Sequence, residues 1–174
     1  LRFRRQAAGT GGGRLMLAID QAAALNKFAY DPVTGVLVNR KTGKPVGTPS
    51  LGHGYLQVWF GGKLYRGHRI IWTMVHGAIP EGMEIDHIDG VKSNNRIANL
   101  RLATCRQNRE NIRTAIASNK HGLLGAYYHP HSGKWQAKIM ANGKTYNLGY
   151  RDTAVEAHQL YVAAKRNLHS FCTI

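Results

Sequence analysis

The stretch EGMEIDHIDGVKSNNRIANLRLATCRQN, running from Glu81 to Asn108, constrains this chain more than any other. It holds Glu81, Glu84, Asp86 and Asp89, four of the nine acidic residues in a protein of formal charge +15. Acids gathered in one place inside a basic chain point to something cationic held there, and a divalent metal beside a phosphate needs that arrangement. Gly82 to His87 and Asn99 to Ala103 have strand character and are joined by a polar loop rich in Asn, Asp, Gly and Ser. Thr104 reads as a helix N-cap, and Gln107 three residues on completes a capping box. Asn108 then falls on the first turn. A strand–loop–strand–helix unit that folds back on itself brings Asp86, His87 and Asn108 together.

Asp86 and Asn108 offer oxygen ligands, which suit Mg²⁺ or Mn²⁺ rather than zinc. Asp86 and His87 are neighbours on a strand, so their side chains point to opposite faces. A metal and an activated water can therefore flank one phosphate from different sides. His87 has the pKa range to take a proton from water at neutral pH. The plain alternative is a hairpin with a solvated acidic turn and an incidental histidine.

The ordered set IDHIDG, NNRIANLR and LATCRQN resembles the HNH endonucleases of the ββα-metal fold, especially the phage and group I intron homing type. The resemblance implies that His87 is the general base and Asp86 a metal ligand. It implies that Asn99 is the middle Asn, bracing the loop and helping to orient His87, and that Asn108 is the second protein ligand. Many HNH enzymes carry His at that last position. Asn there matches the homing subgroup and implies Mg²⁺ or Mn²⁺ over tightly held zinc.

Composition sets the outer bounds. A chain of 174 residues allows one ordinary domain or two small ones, and 43% hydrophobic residues can build a core. No apolar run reaches ~18 residues, so no membrane span is expected. The balance of 24 Lys and Arg against 9 acids points to a polyanion partner. Cys105 and Cys172 stand apart without metal-type spacing, which argues against a disulfide framework or zinc site and fits a reducing, cytoplasmic setting.

In chain order, residues 1–15 combine Arg with a Gly-rich tract and read as a flexible leader. Ile19 to Phe28 is a short amphipathic helix candidate. YDPVTG is a turn before the strand Val36–Asn39. Gly54–Phe60 and Lys63–Tyr65 form a hairpin through Gly61-Gly62, and His68–His76 is a helix stopped by Gly77. This half resembles the β-rich segment that precedes the HNH motif in phage homing enzymes, through YDPVTG, GYLQV and HRIIW. After Thr104, Arg106, Arg109 and Arg113 are spaced to share one helix face, where they can contact a phosphate backbone.

Residues 117–122 read as a linker. Beyond it, Leu123–His129, Lys134–Ala141 and Thr145–Tyr150 are three strands, with Asn142-Gly143 as a hairpin turn. Thr153 and Glu156 make a capping box that opens a helix with Ala157, Leu160, Tyr161, Ala164 and Leu168 on one stripe. Period two turns Trp135, Ala137 and Ile139 to the helix. It turns Lys134, Gln136 and Lys138 the other way, with Tyr127, His129, Thr145 and Asn147 as companions. Such a sheet face suits a DNA groove. Through GLLGAYYHPHSGKWQAKI, GKTYNLGY and DTAVEAHQLYVAAK, roughly residues 121–170 resemble the Apetala-2/ERF DNA-binding domain, which implies a sheet docked in the major groove. Plant versions carry several Arg on that sheet, where this chain has Tyr127, His129 and Gln136.

The sequence thus predicts an α+β chain in two parts. Residues 16–116 form a nuclease domain, with its ββα-metal core at about 82–112, and residues 123–170 form a three-stranded sheet plus helix. The expected function is metal-dependent, homing-like hydrolysis of double-stranded DNA with Mg²⁺ or Mn²⁺ and no small-molecule cofactor. The expected location is the cytoplasm of a phage-carrying host, or the bacterial nucleoid. The alternative is a non-cleaving, sequence-specific DNA-binding regulator.

Overall fold

The structure is a computed structural model that describes residues 18–115, 119 and 121–174. The leader expected at 1–15 and residues 117, 118 and 120 of the expected linker lie outside the described residues.

Asp20 caps the first helix by accepting from the Ala23 amide, and α1 (Gln21–Lys27) runs into β1 (Phe28–Tyr30), which pairs antiparallel with β2 (Leu37–Asn39). A second sheet has β4 (Leu56–Phe60) between β3 (Thr48–Pro49) and β5 (Lys63–Arg66), and it leads directly into α2 (Gly67–His76). At Gly67 the start of α2 packs close on β4, where a Cβ would meet the Leu56 side chain at 2.8 Å. The apolar faces of these elements close one core around Phe28, Leu37, Val58, Ile70 and Ile71, and Ile85 and Leu100 of the next sheet join it.

That next sheet is the pair β6 (Met83–His87) and β7 (Leu100–Thr104), followed by α3 (Cys105–Glu110). A 3₁₀ turn over Ile97–Asn99 leads into β7. The capping box forms as expected: Thr104 Oγ1 accepts from the Gln107 amide, and Gln107 Oε1 accepts from the Thr104 amide. The helix is shorter than the arginine spacing predicts. It ends at Glu110, and Asn111 takes φ −87°, ψ 3° while its side chain turns back toward β6. Arg113 therefore lies beyond the helix, and the three arginines do not share a helical face.

The last part is the sheet β10–β9–β8, built from β8 (Ala126–His129), β9 (Lys134–Ala141) and β10 (Lys144–Arg151), with α4 (Ala154–Leu168) across one face. Ala126, Ala137 and Ala157 form its buried centre, with Trp135, Leu148 and Leu160 packed around them. Gly125, at φ +72°, lets the Tyr161 ring lie directly on the backbone. Leu168, expected on the buried stripe of α4, is exposed, and Lys165 is buried instead, its ammonium donating to the Ile112 carbonyl. Among the described residues no helix is long and apolar enough to cross a membrane.

Candidate active site

The strand β6 presents Asp86 and His87 on opposite sides, and both are buried. His87 faces the α2 side. Its Nε2 lies 3.1 Å from Asn95 Oδ1, and its ring meets His68 edge-on with centroids 4.9 Å apart. An amide oxygen only accepts, so Nε2 carries the proton and the neutral ring keeps its lone pair on Nδ1. Burial holds the His87 pKa below the ordinary imidazole value, opposed by the Asn95 hydrogen bond and by Asp89 and Asp86. His68 is lowered further, first by burial and then by His87, Arg66 and Arg69, and its Nδ1 is buried with no partner among the described residues. Beside the pair, the Tyr55 ring carries Arg66 at 4.3 Å and Lys92 at 5.0 Å from its centroid.

The loop between β6 and β7 is fixed by Asn99. Its Nδ2 donates to Asp89 Oδ1 at 2.9 Å and to the Asn94 carbonyl at 2.8 Å, and its Oδ1 accepts from the Asp89 amide at 3.0 Å. Asn99 thus braces the loop, but the hydrogen bond to His87 comes from Asn95. The N-terminal hairpin supports Asn95 in turn. Tyr30 Oη donates to the Asn95 carbonyl at 3.1 Å and accepts from the Ile97 amide at 2.7 Å. Gly35, at φ +78°, lets the YDPVTG turn touch the same loop, because a Cβ there would meet the Arg96 nitrogen at 2.7 Å.

Asp86 faces α3. Its Oδ2 accepts from Arg101 Nε at 2.9 Å, and the Arg101 Nη2 is also 2.9 Å away. Arg101 stands opposite Asp86 in the β6–β7 register. Asn111 Nδ2 lies 3.1 Å from Oδ2 and 3.3 Å from Oδ1. Asn108 does not hydrogen-bond to Asp86. One turn earlier on α3, it donates to Glu84, two residues before Asp86 on the same strand face. The residue that touches Asp86 from the helix side is Asn111. Its spacing of three from Asn108 was the one available signal for it.

Asp86, His87, Asn108 and Asn111 line one cleft of ≈ 840 Å³, together with Tyr55 and Lys92. The donor set fits the expected divalent ion. Among the described residues Asp86 Oδ1 accepts only the 3.3 Å contact, and Asn108 uses its nitrogen toward Glu84, which leaves its oxygen for another partner. One carboxylate and one amide oxygen suit a hard ion that keeps most of its waters. Among the described residues no three His, Cys, Asp or Glu side chains converge as a metal cluster.

The three arginines divide. Arg106 bonds to Asn142 and lies 3.7 Å from Glu110, Arg109 is exposed, and Arg113 turns inward to the Ile88 carbonyl and Thr173. The sheet brings its seven candidates onto one face. Tyr127 pairs with Gln136, His129 with Lys134, Asn147 with Lys138 and Thr145 with Met140. Lys138 lies 4.2 Å over the Tyr127 ring. A β-bulge between Asn147 and Gly149 turns Tyr150 onto the same face, opposite Gln136, a position that strict alternation missed.

A family described as HNH endonuclease matches residues 65–110. Protein 3.8 of Escherichia phage T7 is 36% identical over 107 residues, covering 62% of this chain and 87% of that protein. The SPbeta prophage-derived putative HNH homing endonuclease YosQ of Bacillus subtilis is 36% identical over 141 residues, covering 78% of this chain and 76% of that protein. The solved structure of the HNH homing endonuclease I-HmuI aligns with a TM-score of 0.44 at 22% identity, over 76% of this chain and 77% of its own.

Proposed function

This chain belongs to the HNH endonuclease family, and on that premise we propose that it is a homing-like nuclease that hydrolyses phosphodiester bonds of double-stranded DNA, with His87 as its general base. One observation carries the reading. On the floor of an open cleft, a buried neutral histidine is held through Nε2 by Asn95, and its Nδ1 lone pair is left to accept a proton. Burial keeps that ring uncharged at neutral pH, the state a base requires.

Asn95, propped by Tyr30, fixes the ring angle. Asn99 holds the loop that carries Asn95, so the general base is oriented at one remove by the middle asparagine. Asp86 and Asn108 would hold a divalent ion, Mg²⁺ or Mn²⁺, which would stabilise the charge developing on the phosphate and the leaving oxygen. Arg101 keeps the Asp86 carboxylate in one orientation. Arg109 has its guanidinium in solvent for a backbone phosphate, and Arg106 and Arg113 act from positions already tied to Asn142 and Thr173.

The outer face of β8–β10 reads the target in the manner of an Apetala-2/ERF sheet. Lys134 and Lys138 meet phosphates. Tyr127, His129, Gln136, Thr145 and Asn147 offer amides, hydroxyls and rings to base edges. That set lacks the arginines that pair bidentately with guanine, so its base preference differs from the plant domains. The two free cysteines, Cys105 and Cys172, suit a reducing compartment, and we place the protein in the cytoplasm of a host cell.

The deciding experiment is nicking of supercoiled plasmid by purified protein, with Mg²⁺ or Mn²⁺ and with chelator. Metal-dependent conversion to nicked or linear DNA supports the reading. Tight DNA binding without any cleavage would make the protein a regulator on a nuclease scaffold.

A further inference from the structure

Past α4, residues 169–174 leave the C-terminal helix and lie back against the nuclease site. Among the described residues Arg101 and Asn111 hydrogen-bond to the Asp86 carboxylate, and this segment holds each of them from behind. Arg101 Nη2 donates to the Phe171 carbonyl at 2.7 Å, and the Phe171 ring lies 4.2 Å from the guanidinium. Thr173 Oγ1 lies 2.8 Å from Asn111 Oδ1 and 2.7 Å from the Ile88 carbonyl. Glu110 Oε2 accepts from the Phe171 amide at 3.4 Å, which ties the segment to the end of α3.

The chemistry of Asn111 gives these contacts a consequence. Its amide has one accepting and one donating end. The Thr173 hydroxyl has one proton, and the Ile88 carbonyl already accepts from Arg113 Nη2 at 3.0 Å, so that proton goes to Asn111 Oδ1 and the NH₂ end is turned to Asp86 and to the His87 carbonyl at 2.9 Å. Arg101, held by Phe171, saturates Oδ2 of Asp86. The carboxylate is thereby fixed with Oδ1 as its least engaged oxygen, the one a hard cation would take. Partners of this kind orient a ligating carboxylate, and their loss typically costs about 10–100-fold in metal affinity or activity.

We propose that Phe171 and Thr173 are positioning residues of the nuclease site: they hold Arg101 and the Asn111 amide so that Asp86 presents Oδ1 to the divalent ion. This rests on the metal reading above.

The experiment measures Mn²⁺ binding by electron paramagnetic resonance on the full chain, for wild type, Phe171→Ala, Thr173→Val and Asp86→Ala. It is paired with the side-chain amide NMR signals of Asn111 in metal-free protein. We expect affinity to fall roughly 10-fold or more in Thr173→Val, and by less in Phe171→Ala, which loses the ring against the guanidinium but keeps the backbone carbonyl that accepts from Arg101. Thr173→Ser and Phe171→Tyr should restore it. The Asn111 NH₂ signals should shift and lose exchange protection in Thr173→Val without metal. If wild type and Asp86→Ala bind Mn²⁺ alike, the metal reading fails, and the Asn111 signals alone then decide the positioning claim. Unchanged Asn111 signals overturn the proposal, as does unchanged or tighter Mn²⁺ binding in the segment variants while Asp86→Ala abolishes it. Thermal melts of each variant identify any that fail to fold. For such a variant the conservative partner carries the test, and loss of Mn²⁺ affinity in a folded Thr173→Ser or Phe171→Tyr would count against the proposal.

Discussion

His87 and His68 form a buried pair of imidazoles whose charge the fold suppresses, and the two rings have different consequences. For His87 the proposed consequence is catalytic. His87→Ala should lower cleavage by about 10²–10⁴ while leaving DNA affinity within a few-fold, because a general base contributes to rate rather than to binding. Single-turnover cleavage beside a binding titration checks both, and near-normal cutting by the variant would remove His87 from the mechanism. For His68 the consequence is stability. Its folded pKa lies well below that of an exposed imidazole, about 6.5, so the unfolded chain takes up the proton first. Its contribution is therefore complete above about pH 6.5 and is lost as pH falls below that value toward the folded pKa. The melting temperature should drop between pH 7 and 5, and His68→Leu should flatten that drop, whatever it does to stability at neutral pH. An equally steep drop in the variant would assign the acid sensitivity to another group. Asp86, His87, Asn99 and Asn108 were readable as candidates from the sequence because they sit in one short, ordered stretch. Asn95, Asn111 and Arg101 were not. Their contacts depend on a loop conformation, a helix end and a cross-strand register that spacing alone does not specify.

The elements show the same division between local and distant determinants. Both capping boxes could be read in sequence, because Thr104–Gln107 and Thr153–Glu156 satisfy orphan amides within three residues. The end of α3 could not, because it is set by the pull of Asp86 and the His87 carbonyl on the Asn111 side chain. The expected place of Arg113 on the helix fails for that reason. The buried Lys165 is a similar case: its partner, the Ile112 carbonyl, is far away in sequence, and only the packing of α4 brings them together. At Gly125, just before β8, a Cβ would fall 2.0 Å from the Tyr161 ring, and φ is +72°. Gly125→Ala combines overpacking with a left-handed backbone and should cost about 2 kcal/mol or more. Urea unfolding followed by Trp135 fluorescence measures it. A loss below about 0.5 kcal/mol would mean that β8 and α4 separate easily enough to absorb the methyl group.

At the scale of the whole molecule, the sequence suggests a nuclease followed by a separable binding unit, and the structure places contacts between the two. The last segment has its own buried centre, yet it also sends Lys165 to Ile112, Phe171 to Arg101 and Thr173 to Asn111. Two different perturbations should therefore have different signatures. Removing the proposed phosphate contacts alone, by Lys134→Ala with Lys138→Ala, leaves the returning segment in place. It should flatten the log–log salt dependence of DNA binding by about 1.8, since each contact is worth about 0.9. Cleavage at saturating protein should stay within a few-fold. Ending the chain near Lys120 removes that face and the support of Asp86 together. It takes away six Lys and Arg against two acids, a net +4, so the salt slope should flatten further. Cleavage should also fall by about 10-fold or more even at saturating protein, since the partners that orient Asp86 are lost. Binding and single-turnover cleavage of random and selected DNA at several salt concentrations separate the cases. A shortened chain that loses affinity but cuts at the full-length rate once bound would show that the catalytic half needs nothing from the sheet, the helix or the segment behind Asp86.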